Sequence, residues 1–536
     1  MNIRRMWPIL LLAAVLSLAH AIATPALWPV DETSHLAYAD QLSRTVSLPR
    51  IDTPIPPDLD YPGLNQRLQW EQRKLRLGRQ DIWTSNHPPL ASVIQGVGLR
   101  LGRAVGGGGT VALLLARLTS VMWMVLGVWA TMKLAFLLAP AVGRDRRRMT
   151  PVELAYAVGT LVAVTPTLSH LGGLVFNDVP AFALSTMCLY LGARAVFGSL
   201  TRRRLAVMGV VAGAAALTRV SAIPAVGVMA LLVVYAWWRD DGRYPVTTLL
   251  RPVGVWVLAL LPAAAFYVRN AVLYGSPTAS ATLLDKFNRD LNDPVSSLLV
   301  DKVFWLRLWN RMIGDLTTGH WTVASRTRFS EGVLLIVAVG ACWWLCKGVA
   351  AATRRLRAGQ DSTASSPSIR GRVVNAVKVH PQRVTWTLCS LLPLSLLATT
   401  IQFHAAGGSV HGRYVLGGYA VVATAMVVWL AGLPRIGRML ATAVPVPIFI
   451  INAALIQAIL RHHPLAWERS DIELILPQLF GSPSLRLASS GAAVAGVLLA
   501  IILMSHVRRR SGHQPEADTV PAVPTPATPV RESASL

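Results

Sequence analysis

Asp31 and Glu32 are adjacent carboxylates, and His35 follows within the stretch Trp28-Pro29-Val30-Asp31-Glu32-Thr33-Ser34-His35. This stretch comes directly after an apolar segment, Met6 to Leu27, that is long enough to cross a bilayer. Ionisable groups where a span meets water are expensive unless they are solvated or used, so the cluster is a functional candidate. A carboxylate within reach of a hydroxyl can accept its proton as a new bond forms, and a second carboxylate beside it opposes its ionisation. The competing reading is structural, with Asp31 and Glu32 capping a helix that runs through His35, Tyr38 and Leu42.

Other polar groups recur where apolar runs end. His87 lies in Asn86-His87-Pro88-Pro89-Leu90, Asp178 in Phe176-Asn177-Asp178-Val179-Pro180, and Arg413 in His411-Gly412-Arg413-Tyr414. Arg219, Arg269 and His404 occupy similar junctions. Each has a plain alternative. Arginines at span ends anchor to lipid phosphates, Asp178 can cap a helix, and a histidine before two prolines can be a turn residue.

The elements that position these groups are set by composition. Of 536 residues, 53% are hydrophobic and 14% charged, with a mean hydropathy of +0.47, which is the composition of a polytopic membrane protein. The net charge of +25 does not imply nucleic acid. The basic residues punctuate apolar runs, as in Arg146-Arg147-Arg148, Arg202-Arg203-Arg204, Arg354-Arg355 and Arg508-Arg509-Arg510, the pattern of cytoplasmic loops. The four cysteines, Cys188, Cys342, Cys346 and Cys389, fall in apolar runs and read as small core residues. Asn2-Ile3-Arg4-Arg5 before an apolar run also fits a signal peptide cleaved near Ala21 or Ala23; an uncleaved first span is the preferred reading.

Alternating basic loops and apolar runs predicts an all-α polytopic protein with about twelve membrane spans and both termini cytoplasmic. A membrane domain would fill 1–505. It includes a long first outer loop (28–110) carrying interfacial helices near 66–78 and 90–101, a second outer segment (271–330) and a basic cytoplasmic loop (351–383). Residues 506–536 would be a disordered tail. Val152 to Leu171 is expected as the third span, and Leu205 to Leu217 with Ser221 to Trp238 as the fifth and sixth. On this map Asp31, Glu32, His35, His87, Asp178, Arg219, Arg269, His404, His411 and Arg413 all reach the outer surface. The spans show few charges, Lys133 and Arg194 lying near cytoplasmic ends. A one-sided polar surface suits an enzyme working at that face better than a transporter, which needs groups near the midplane.

The order of these motifs resembles the GT-C superfamily of integral membrane glycosyltransferases, which includes protein O-mannosyltransferases and aminoarabinose transferases. The resemblance rests on the Asp31-Glu32 pair, His87-Pro88-Pro89-Leu90, Asn177-Asp178-Val179-Pro180, Arg269-Asn270 with Leu273-Tyr274-Gly275-Ser276-Pro277, and Gly412-Arg413-Tyr414. It covers roughly Arg4 to Leu430. It implies a polyprenyl-phosphate-linked sugar as donor, transferred outside the cytoplasmic membrane to a glycan, lipid or protein acceptor of the cell envelope. Asp31 would then be the base, with Glu32 orienting it or holding a cation. Asp178, with His35 and His87, would serve acceptor or metal binding. Arg269 and Arg413 would clamp the donor phosphate, since a guanidinium fork matches its oxygens at two points.

Asp31, Glu32 and Asp178 could together hold a divalent cation, Mg2+ or Mn2+, and the resemblance leaves metal dependence open. The late motif lacks the proline that often closes it in relatives, and 461–484 is too short for a soluble outer domain. Two rivals stand beside the transferase: a flippase or transporter for a lipid-linked precursor, and a non-catalytic membrane assembly protein.

Overall fold

The computed structural model describes residues 6–28, 30–45, 47–57, 59–75, 80–139, 149–240, 246–289, 294–313, 329–360, 378–461 and 479–511. The first helix, α1 (Trp7–Ala23), is apolar apart from the buried Ser17 and His20 and packs against the later membrane helices. A turn at Leu27, fully buried and left-handed at φ 61°, redirects the chain into the polar α2 (Val30–Thr45). A bulky residue holds such a φ only where its surroundings fix it.

Within the segment expected to be the first outer loop α3 (Leu64–Leu75) and α4 (Leu90–Ala104) follow. α4 buries Ala91, Gln95 and Leu99 but exposes Val93, Val97, Leu101 and Val105 along one stripe. Helices that lie in a membrane interface present such a face. Gly106 and Gly108 take positive φ to turn the chain into α5 (Gly108–Leu138), and α4 packs back along it. At Gly102 a Cβ would sit 2.3 Å from Ala112 Cα, so glycine is what lets the two backbones meet.

The expected third span is two helices, α6 (Pro151–Val164) and α7 (Pro166–Leu171), because Thr165 is extended ahead of Pro166. Then come α8 (Asp178–Val196), α9 (Arg202–Ala216), α10 (Ile223–Arg239) and α11 (Val246–Tyr274). α9 and α10 are separate helices joined through the extended Arg219, as expected, rather than one kinked helix. The segment expected to be the second outer one holds α12 (Ser280–Lys286), α13 (Val295–Val300) and α14 (Lys302–Ile313).

α15 (Phe329–Gln360) runs on into the stretch expected to be loop, and α16 (Pro381–Ala405) follows. A 3₁₀ turn, Gly412–Gly418, leads into α17 (Tyr419–Ala431), then α18 (Gly437–Ala443), α19 (Pro445–Arg461) and α20 (Pro483–Ser511). The segments 314–328, 361–377 and 462–478, and the tail 512–536, lie outside the described residues.

The chain is a helical multi-pass membrane protein, and the expected count of twelve spans is not confirmed. Among the described residues, eight helical stretches are long and apolar enough to cross a membrane, and three shorter apolar helices, Trp7–Ala23, Pro151–Val164 and Glu331–Trp343, accompany them. Arg202–Ala216 is in neither group, because three arginines occupy its first turn and shorten its apolar part. Cys188 and Cys389 are buried as expected, but Cys342 and Cys346 are exposed on α15, so they are not core residues.

Candidate active site

α2 carries Asp31 and Glu32 in its first turn, and the two side chains part company there. Glu32 is fully buried against Arg117 of α5, itself fully buried. Arg117 Nε donates to Glu32 Oε1 at 2.9 Å and Nη2 to Oε2 at 2.7 Å. The remaining Arg117 donors reach the carbonyls of Ala21, Thr24 and Pro25 at 2.7, 2.8 and 2.9 Å. The Val175 amide donates to Glu32 Oε1 at 3.0 Å. Every donor of this guanidinium head is aimed at an acceptor, and the end of α1, the start of α2 and the turn before α8 are tied to α5. Glu32 therefore neither orients Asp31 directly nor faces a cation site.

Asp31 points the other way and pairs with Arg413. Burial, the largest single influence, would raise the Asp31 pKa, but the Arg413 guanidinium together with His35 and His411 holds the group below its ordinary value. This reverses the expectation that a neighbouring carboxylate would oppose ionisation, since Glu32 is turned away and neutralised by Arg117. Arg413 lies over the rings of Phe176 and Tyr414, 5.9 and 5.6 Å from their centroids. The same Tyr414 ring carries Arg219 at 5.8 Å. Arg219 in turn pairs with Asp178 at 2.9 Å and donates to Asn177 Oδ1.

Asp178 occupies the first turn of α8, behind an N-cap, Asn177, that makes no side-chain capping bond. The plain capping account of Asp178 therefore has no hydrogen bond to support it. Asp178 is buried, and neither of its oxygens is hydrogen-bonded, although Arg219 neutralises it. Nδ2 of Asn177 and Nε of Arg413 are also buried without hydrogen-bond partners. Unfilled polar capacity of this kind marks a place where a ligand's oxygens can go.

The histidines extend the cluster. His35 stacks on His87, with centroids 6.0 Å apart and planes 5° apart, and contacts Phe176 at 5.1 Å. Burial pushes His35 down to about 3, Asp31 opposing and Arg219 and Arg413 assisting, while His87 is pushed well below its ordinary value by burial and the same two arginines. Both rings are neutral at pH 7 and can donate or accept a hydrogen bond. His87 is fixed through its carbonyl, which accepts from Tyr38 Oη at 3.2 Å. His411 contacts Tyr414 at 5.6 Å and is also driven well below its ordinary value by burial.

Asp31, Asp178, His35, His87 and Arg413 are thus gathered on one surface, while Glu32 and Arg269 are not part of it. Arg269 donates to the Pro49 carbonyl at 2.7 Å, and its neighbour Asn270 donates to the Asn86 carbonyl at 3.0 Å. It clasps the first outer segment rather than facing Arg413. Two residues carry more than the sequence suggested. Arg219 had no assigned role beyond its junction, and Arg117 was passed over, although a charge inside an apolar run is the signal that finds it.

The donor set does not fit a divalent cation. Each of the three acidic candidates faces a guanidinium, and among the described residues no group of three or more His, Cys, Asp or Glu is gathered to hold a metal.

No protein-family model and no curated protein matches the chain. Among solved structures it is similar to ArnT from Cupriavidus metallidurans bound to undecaprenyl phosphate, at 15% identity and a TM-score of 0.35, covering 92% of this chain and 88% of that one. It is also similar to the archaeal oligosaccharyltransferase AglB from Archaeoglobus fulgidus in complex with an inhibitory peptide and a dolichol-phosphate. There the identity is 11% and the TM-score 0.37, covering 94% of this chain and 56% of that one. Both neighbours are membrane glycosyltransferases of the GT-C superfamily. These superpositions assign no role to any side chain.

Proposed function

We propose that this chain is an inverting GT-C-type glycosyltransferase that moves a sugar from a polyprenyl-phosphate donor to a hydroxyl acceptor at the outer face of the cytoplasmic membrane. The observation that carries the proposal is the contiguous set Asp31–Arg413–Tyr414–Arg219–Asp178. A carboxylate base and two guanidiniums share one buried surface that keeps unfilled hydrogen-bonding capacity.

The acceptor oxygen attacks the anomeric carbon, and the bond from that carbon to the phosphate oxygen breaks. The electron pair leaves with the lipid phosphate, and the acceptor proton passes to Asp31. Arg413 and Arg219 offset the charge that grows on the departing phosphate. Asp178, His35 and His87 line the side from which a hydroxyl would be held and oriented. No step needs a metal, because arginines occupy the positions opposite the carboxylates.

The test is sugar transfer in membranes from a radiolabelled polyprenyl-phosphate donor, comparing wild type with Asp31→Asn and Asp178→Asn. Equal transfer by wild type and Asp31→Asn would remove Asp31 as base. Absence of transfer with continued passage of lipid-linked sugar across the bilayer would make the chain a flippase.

A further inference from the structure

We propose that the Asp31–Arg413 ion pair is a latch opened by the donor's own phosphate, which takes Arg413 away from Asp31 and so frees the base only when a leaving group is present. This rests on the proposed transferase reading and adds an order of events to it.

Three observations lead to it. Arg413 is the nearest cation to the base, so the guanidinium that would receive the phosphate is already spent on Asp31. The pair is also unfinished: Nε of Arg413 is buried with no hydrogen-bond partner, and the two side chains keep 11% and 14% exposure. The donor's phosphodiester, with two non-bridging oxygens, can satisfy Nε and Nη2 together, which the single Asp31 contact does not. Finally, the exchange can be local. Phe176 and Tyr414 hold the Arg413 guanidinium by their ring faces, while the neighbouring Glu32–Arg117 clamp fixes the backbone that carries Asp31. Neither partner needs to move far when the bond between them changes hands.

Competition for one guanidinium is reciprocal, so whatever Asp31 takes from phosphate binding is returned when Asp31 is neutralised. The experiment titrates full-length protein in phosphatidylcholine nanodiscs with undecaprenyl phosphate lacking any sugar, followed by native mass spectrometry. Asp31→Asn is expected to bind about tenfold more tightly than wild type, and Arg413→Gln at least tenfold more weakly. Asp31→Glu, which keeps the carboxylate, should match wild type and shows that substitution at this position is tolerated.

Glu153→Gln removes an equal charge from Arg438, which is no part of this site, and is expected to change binding less than threefold. If Asp31→Asn binds no more tightly, or if Glu153→Gln tightens binding just as much, the latch is wrong and the transferase reading stands. If wild type binds no undecaprenyl phosphate, the donor assignment fails and the latch with it. Inorganic phosphate competing as well as the lipid would show that the site reads a free anion rather than a lipid headgroup.

Discussion

Asp31 and Glu32 are neighbours in the chain and opposites in the fold. Glu32 is sealed against Arg117, and that guanidinium head spends all of its donors on named acceptors. Asp31 meets Arg413 at an incomplete pair that keeps some exposure and an unused donor. A buried ion pair is worth having only when its remaining donors and acceptors are satisfied. The first pair meets that condition and is architecture, whereas the second does not and is poised for exchange.

The largest effect should come from breaking the chemistry while sparing the architecture. Asp31→Asn is expected to lower sugar transfer by roughly 10²- to 10⁴-fold, the usual worth of a general base, with little change in thermal unfolding. The mirror experiment is Arg117→Ala. Removing one partner of a buried pair strands the other and costs about 3–5 kcal/mol, so unfolding temperature and membrane yield should fall together. Should Glu32→Gln instead keep full stability while abolishing transfer, the contrast between the two carboxylates would collapse.

Gly412→Ala sharpens the comparison from the arginine side. A Cβ at Gly412 would lie 2.3 Å from the Arg311 backbone, so the segment carrying Arg413 must shift. Overpacking of this kind costs about 1–3 kcal/mol, and transfer should fall at least tenfold while the Glu32–Arg117 region keeps its protection in hydrogen exchange.

A smaller effect concerns pH. Burial holds His35 at about 3 in the folded protein, whereas an unfolded histidine titrates near 6.5. Between those values the unfolded state binds more protons, so stability falls as pH falls through that window. At pH 5 one such histidine costs about 2 kcal/mol by this linkage. His35→Gln should flatten the decline in unfolding temperature between pH 7 and 5, leaving the parts due to His87 and His411. An unchanged slope would mean that His35 is protonated in the folded state.

Much of the architecture was legible because apolar runs and basic loops report directly on the cost of burying charge. The side on which Asp31, Asp178, His35, His87 and Arg413 gather follows from where the runs end. What the sequence does not carry is direction around a helix axis. Adjacent residues on α2 point about 100° apart, and only packing against α5 decides which of the two carboxylates is sealed. Arg269 illustrates the same point: its span end gives its depth, but the clasp to Pro49 depends on where the first outer segment is laid. Leu205 to Leu217 reads as a span from its apolar centre, but its helix, Arg202–Ala216, opens on three arginines that leave too short an apolar stretch.

The clasp between the outer segments has a consequence for biosynthesis. Asn86 and Pro49 are held by Asn270 and Arg269, the Ile51 amide by the Tyr274 hydroxyl, and Asp81 by Lys286. These ties join parts of the chain that leave the ribosome far apart in time, and Arg413 emerges later still. The segment that carries Pro49, Asp81 and Asn86 must therefore wait until its fasteners arrive. Through most of its own insertion the chain carries Asp31 with neither these ties closed nor Arg413 made, and the Asp31–Arg413 surface is completed only once the late helices are in place.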